Sequence, residues 1–415
     1  MSKIGFSSNP SNGASHTWRS RRRFNYSSSK GGWQAKGATP PAPTAPTLNA
    51  STDLQDMNDA TGLAARMRGM AIMYNSYSDF PTEDIYTGTF AYARDTNELY
   101  VWTGASPAPA SFYGDRAVYF GGRTTVNLDI VDYASISTGG TAQVAGFTLG
   151  SILAGAAGFS NGTRGVIAGG NSSSYQTAIQ YTNISTLAGM SAFGDLTTAR
   201  FIATAVTDAT YGVIGGGAQT GTSNRLSSIE YVTTETESNT SSFGNLTRGR
   251  YNMAGISHAT RGIFAGGSYN NTGSGANGAE FFPLNEIDYI TIATPSSATD
   301  FGDITSARSR SAGAEDNTHG VVAMGYDRVA NTSYQTVDKI TIDTLGSATN
   351  FGNAGFDYFY MQGTSDGSLA NFTGGSSGDR AHILKMTIAT SATCTDYGDL
   401  STGRYILAAA AGNAS

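Results

Sequence analysis

The sequence predicts an all-β protein, a closed six-bladed β-propeller over residues 113–415, preceded by an extended basic arm (1–50) and a small α/β or β-hairpin unit (51–112). Three observations predict it. Glycine supplies 53 of 415 residues while only 13% are charged, about half the charged share usual in globular domains. Long solvated helices lean on Glu, Lys and Arg, whereas strands joined by tight turns need Gly and Asn. Strand-like segments recur at intervals of about 50 residues, and the last segment of the chain matches a strand that the first repeat lacks.

An apolar strand closed by glycine appears as AVYFGG (117–122), GVIAGG (165–170), GVIGGG (212–217), GIFAGG (262–267) and GVVAMG (320–325), with ends 48, 47, 50 and 58 residues apart. A second series alternates as a half-buried strand does: IQYTNIS (179–185), IEYVTTE (229–235), IDYITIA (287–293), VDKITID (337–343) and ILKMTIA (383–389), with LDIVDYASI (128–136) as its altered first member. The third is FGDLTTAR (193–200), FGNLTRGR (243–250) and FGDITSAR (301–308), continued from Phe351 and as YGDLSTGR (397–404), with Phe147 heading a degenerate first copy. Every series has strand character and none a 3.6-residue period, so each unit reads as a four-stranded blade. After the third motif the chain elsewhere runs through ARFIATAVTDA (199–209) or GRYNMAGISHA (249–259) into a glycine-pair strand. The final GRYILAAAAGNAS has no such strand after it, and RAVYFGG at the start of the domain has no leader before it. The C-terminal strand therefore completes the first blade and closes the ring, leaving no exposed edge.

Within the third motif, the aromatic residue (Phe193, Phe243, Phe301, Phe351, Tyr397) is expected to pack between blades. The glycine (Gly194, Gly244, Gly302, Gly352, Gly398) is expected at positive φ. The acid or amide (Asp195, Asn245, Asp303, Asn353, Asp399) is expected to cap a turn. A metal ligand or general base would not alternate with an amide from repeat to repeat, so the motif reads as structural. Arg200, Arg250, Arg308 and Arg404 end it. They pair with the acidic residue of their own or the adjacent blade, or they line one face of the ring, and the sequence leaves both readings open.

The arm carries seven Lys and Arg and no Asp or Glu in its first 50 residues, leaving 18 basic and 31 acidic residues in the remainder, within an overall net charge of −6. Trp18, Phe24, Tyr26 and Trp33 stand beside Arg19, Arg21, Arg22 and Arg23, ahead of the proline-rich KGATPPAPTAPTLN. Proline keeps this stretch free of helix, and the aromatics are the kind of anchor an arm buries on a partner. One run of four arginines is too little to expect direct nucleic-acid recognition. Residues 51–72 carry the spacing of a short helix, and FAYARDTNELYVWTG reads as a hairpin turning at DTNE. The longest insertion, SYNNTGSGANGAEFFPLNE (268–286), offers Phe281, Phe282 and Pro283 as a contact loop.

The glycine-pair and aromatic pattern from Ala117 to Ser415 resembles kelch repeats, and more closely the kelch-like repeat proteins of tailed bacteriophages, especially those of marine cyanobacteria. It departs from a conventional kelch unit in lacking a blade tryptophan, since Trp18, Trp33 and Trp102 all precede the propeller. FAYARDTNELYVWTG is similar to short modules of phage virion proteins. The resemblance implies a virion structural protein of the head, neck or tail, in contact with other virion proteins in several symmetric copies. Its alternative is a receptor-binding or adhesin module that recognises host surface glycans through the propeller loops.

Chemistry is thinly represented. A single cysteine, Cys394, excludes an intramolecular disulfide and any thiolate cluster, and the four histidines are scattered. GxSxG occurs as GFSNG (158–162), GTSDG (363–367) and GGSSG (374–378), but none opens a helix as a nucleophile elbow must. Asp357, Asp366, Asp379 and Asp396 are the nearest approach to a calcium site. The expectation is no enzyme, no cofactor and no metal. The first 18 residues lack the apolar core of a signal peptide and no stretch is long enough to span a membrane, so synthesis in the host cytoplasm and residence in a virion are expected.

Overall fold

Alternating segments of this kind can bury one face only by pairing and stacking, and the computed structural model shows them doing so. It describes residues 114–413 except 220–224, 259, 272–279, 377–379 and 391, and before them the backbone of six short strands between Ser15 and Val101. The chain divides into two units, Met1–Ala108 and Pro109–Ser415.

In the first unit, Ser15–Thr17, Arg23–Ser27 and Gly32–Ala35 form an antiparallel meander that pairs Tyr26 with Trp33 and Phe24 with both His16 and Ala35. Arg23, Phe24, Tyr26 and Trp33 thus lie on strands, whereas Trp18, Arg19, Arg21 and Arg22 fall outside the described residues. Phe90–Ala93 and Glu98–Val101 form the hairpin, with Ile72–Tyr74 parallel beside it. The helix read into 51–72 lies outside the described residues but for Ile72.

The second unit is a ring of six antiparallel four-stranded blades. From the axis outward, blade 2 runs Ala157–Ser160, Arg164–Ala168, Ala178–Asn183 and Ser191–Asp195. Blades 3 to 6 repeat this order from the inner strands Thr204–Thr207, Ala254–Ser257, Ala312–Glu315 and Gln362–Ser365. Blade 1 is built from both ends of the unit: the C-terminal Ala408–Gly412 is its inner strand and pairs with Arg116–Phe120, followed by Leu128–Ser135 and Gln143–Leu153. The closure expected from the sequence is present. Blade 6 has its own glycine-pair strand, Leu369–Thr373, less apolar than the others and followed by Gly374 and Gly375.

The glycine pair has one conformational reason, shown by Gly169 (φ 68) and Gly170 (φ 101), which turn the chain off the second strand through the left-handed region. In GVVAMG, Met324 takes the first of these places at φ 58. The Phe-Gly of the third motif is a β-bulge. Ile179 pairs with Gly194 and Gln180 with Ala192, so Phe193 is the extra residue, and blades 3 to 6 repeat the shift. The bulge turns Phe193 inward onto Ile214 and Val232 of the next blade. Gly194 sits under that blade's outer turn, where a Cβ would lie 2.1 Å from the Ser238 carbonyl oxygen. The core therefore lies between blades rather than inside any one.

Around the axis the inner strands abut. A Cβ on Gly313 would lie 2.2 Å from the Gly255 carbonyl oxygen, and one on Gly363 2.0 Å from that of Gly313. The fourth inner-strand residue is Ser160, Thr207, Ser257, Glu315, Ser365 and Ala411 in turn. Glu315 is 8% exposed. Burial raises its carboxyl from 4.5 to about 8, against the lowering effect of the Ser257 N–H and with a small contribution from Asp316. Folded protein thus holds a proton that unfolded chain releases between those two values. The resulting stability is complete below pH 4.5 and lost as pH rises through about 8, at a slope of up to about 1.4 kcal/mol per pH unit. Glu315→Gln is expected to remove that component from a plot of melting temperature against pH; an unchanged slope would show that Glu315 does not titrate there.

Candidate functional site

The arginines that end the third motif are all fully buried, so the reading that they line a face of the ring is corrected. Their partners are not the acids of the motif but those of the third strand of the following blade: Arg200–Glu230, Arg250–Asp288 (2.9 Å), Arg308–Asp338 (3.1 Å) and Arg404–Asp132 (2.8 Å). Each acid stands at the bulge. Each also accepts bonds from the N–H and hydroxyl of the residue three before the arginine, as from Thr305 at 2.8 and 2.6 Å and from Ser401 at 3.1 and 2.7 Å. The guanidinium meanwhile donates to carbonyls near the glycine pair, such as Gly216 for Arg200 and Gly121 for Arg404. Burial lowers the pKa of Arg200, Arg250 and Arg308 while the paired carboxylate opposes it.

Blades 2 and 6 lack the device as a whole. Leu153 and Tyr358 stand at the arginine position, four residues before the inner strand, and Gly150 and Gly355 stand at the hydroxyl position. Gln180 and Leu384 stand at the register place of the acid. A buried charge without its partner costs about 3–5 kcal/mol, which is why acid, arginine and hydroxyl are kept or lost together. The motif acid does other work. Asp195 accepts from the Thr177 hydroxyl (2.9 Å), and its carbonyl accepts the Thr240 N–H of the next blade (2.9 Å). Only Asn353 caps the following turn directly, by accepting the Gly355 N–H (2.8 Å).

Strand direction places the second-to-third-strand loops and the blade-to-blade connections on one face. That face is rich in partly exposed rings and arginines. Tyr175 stacks on Phe201 (5.2 Å), Tyr326 on Phe359 (4.8 Å), and Tyr360 lies beside Tyr405 (5.8 Å). The predicted contact loop joins this surface through an added hairpin, Ser268–Asn271 with Glu280–Pro283, ending at Pro283. Its Phe281 meets Tyr251 (6.2 Å) and lies beneath Arg225 (5.4 Å) and Arg328 (4.8 Å), while Phe282 packs on Tyr269 (5.7 Å).

No protein-family model matches the sequence, and no curated protein matches it.

Of the acids nearest to a calcium site in the sequence, Asp366 serves its own turn, accepting the N–H groups of Ser368 (2.9 Å) and Leu369 (2.7 Å). Asp208 and Asp316 cap equivalent turns in the same way. Asp379 lies outside the described residues. A different cluster forms at the edge of blade 6, where His382 Nδ1 lies 3.0 Å from Asp396 and 3.7 Å from Asp399. These three groups have the chemistry to hold a divalent cation and equally to form an exposed ion pair. Two of the GxSxG serines are turn formers: Ser160 accepts the Gly162 N–H (2.8 Å), and Ser365 accepts the Gly367 N–H (2.9 Å) while donating to the Glu315 carbonyl. Cys394 is buried, and burial pushes its thiol up to about 12. Among the described residues no helix is long and apolar enough to cross a membrane.

Proposed function

We propose that this chain is a non-enzymatic structural component of a tailed-phage particle, made in the host cytoplasm. In this reading it is attached at the head, neck or tail through residues 1–50, and its loop face meets other virion proteins in several copies. The supporting observation is the composition of that face: paired aromatic rings interleaved with Arg225, Arg248, Arg310 and Arg328. Tyr, Trp and Arg dominate the residues that carry protein–protein binding energy, and repeated copies multiply a modest affinity. The basic, aromatic arm supplies a second and separate attachment. Deletion of residues 1–50 is expected to abolish incorporation into purified particles while leaving the propeller's thermal transition in place. Full incorporation of the truncated chain would refute attachment by the arm.

Recognition of host surface glycans is the second reading, favoured by the flat stacked pair Tyr326–Phe359 on the same face. Particle imaging and a glycan array separate the two. A loop face covered by other subunits excludes the receptor role, and a distal face that binds host sugars excludes the purely architectural one.

A further inference from the structure

Where each connection approaches the axis, one residue per blade adopts the left-handed conformation: Gly155 (φ 64), Ile202 (54), Asn252 (58), Arg310 (61), Tyr360 (63) and Ile406 (45). Their backbones form a closed cycle of hydrogen bonds. Ile202 N–H donates to Gly155 (2.8 Å), Asn252 to Ile202 (3.3 Å), Arg310 to Asn252 (2.9 Å), Tyr360 to Arg310 (2.9 Å), Ile406 to Tyr360 (3.3 Å) and Gly155 to Ile406 (2.7 Å). The left-handed region costs a non-glycine residue roughly 1–2 kcal/mol, and Ile is among the residues least suited to it. The cycle uses these backbone N–H and C=O groups, so any recognition at this mouth of the channel falls to side chains.

Those side chains are unevenly divided. Gly155, Ile202 and Ile406 make an apolar half, while Asn252, Arg310 and Tyr360 make a contiguous polar half. Asn252 is 4% exposed, and neither its Oδ1 nor its Nδ2 has a hydrogen-bond partner. It lines an axial cavity of about 80 Å³ together with Arg310 and Tyr360. A buried amide left unmatched costs about 1–3 kcal/mol, so its retention there calls for something to be matched. The Arg310 guanidinium is held over Tyr360 (4.4 Å), Tyr326 (5.0 Å) and Phe359 (5.5 Å), and its Nε also lacks a partner. No acidic residue lines the cavity. The site thus offers N–H donors and one positive charge, in a cavity several times the roughly 10–15 Å³ that one water needs. That is room for a carboxylate group, and the unmatched donors and the positive charge favour an anion over a neutral sugar.

We propose that the axial mouth is a seat for the carboxylate of a small acidic ligand, held by Asn252 Nδ2 and Arg310, with the rest of the ligand lying outside over the aromatic face. The seat belongs to the propeller itself, so the inference stands or falls separately from attachment to a particle. Calorimetric titration of the full chain with sodium glucuronate, sodium acetate and glucose at matched ionic strength tests it. Both carboxylates are expected to bind and to raise the melting temperature, and glucose is not. Glucuronate at least about tenfold tighter than acetate identifies a sugar acid as the source, and equal affinities identify a free organic acid. Asn252→Asp keeps the shape and tolerates the left-handed backbone but replaces a donor with negative charge, and is expected to weaken binding by about tenfold or more. Asn252→Gly, free of any buried charge, serves if that variant does not fold. Failure of both carboxylates to bind, an equal response to glucose, or undiminished binding by Asn252→Gly would overturn the proposal and leave the amide simply hydrated.

Discussion

Asp338→Leu alone is expected to lower the stability of the propeller by about 3–5 kcal/mol, because it strands the fully buried Arg308 guanidinium and the Thr305 hydroxyl. The same substitution combined with Arg308→Tyr and Thr305→Gly should recover most of that loss. Those are the residues blade 6 carries at the matching places, Leu384, Tyr358 and Gly355, where Tyr358 and Leu384 are buried in apolar surroundings. The physical basis is that a buried ion pair is worth little net over well-packed apolar residues, whereas half of one is costly. Calorimetric melting of the single, double and triple variants checks it. A triple variant as unstable as Asp338→Leu would mean that the blades do not exchange this device as a unit. Interaction terms of this kind are large only for groups in one network, so Arg308→Tyr paired with a distant Asp132→Leu should show no recovery.

Removal of residues 405–415 should prevent formation of a stable ring. It takes away the inner strand Ala408–Gly412, leaves the inner edge of the apolar Arg116–Phe120 unpaired, and deletes Ile406 from the axial hydrogen-bond cycle. An unpaired apolar edge is an invitation to pair with another chain, so aggregation or loss of soluble protein is the expected readout. The complementary rearrangement should be harmless. Moving residues 401–413 to lie directly between residues 113 and 114 would join the strands of blade 1 through Asn413, Gly114 and Asp115. That turn has the length of Asn161-Gly162-Thr163 in blade 2, and the Asn413 N–H already bonds to Gly162 (2.8 Å). A rearranged chain that melts near the wild-type temperature would confirm that only continuity of the ring matters. One that fails to fold would show that the split of blade 1 has a role of its own.

Much of this architecture was legible in the sequence because propeller repeats write their period directly: blade after blade calls for a bulge aromatic, a glycine-ended second strand and an inner strand at the same spacing. The count of blades and the closing role of GRYILAAAAGNAS followed from that period. The partner of the arginine did not. Arg308 and Asp338 are far apart along the chain, and the acid is one residue in an alternating strand that looks like any other. The signal was nonetheless there, in the joint loss of hydroxyl, arginine and acid in blades 2 and 6. It becomes readable once the strands are in register.

The axial mouth lay further from reach. Nothing in the words FIAT, YNMA, SRSA, FYMQ and YILA (201–204, 251–254, 309–312, 359–362, 405–408) announces that Ile202, Asn252, Arg310, Tyr360 and Ile406 share one conformation and one hydrogen-bond cycle. By itself the sequence determined the blade, its number and its closure, since these depend on local period and on pairing between neighbours. Only the tertiary structure decided which charges meet and which polar side chains are left facing the axis, because those depend on residues from different blades arriving at the same few ångströms of space.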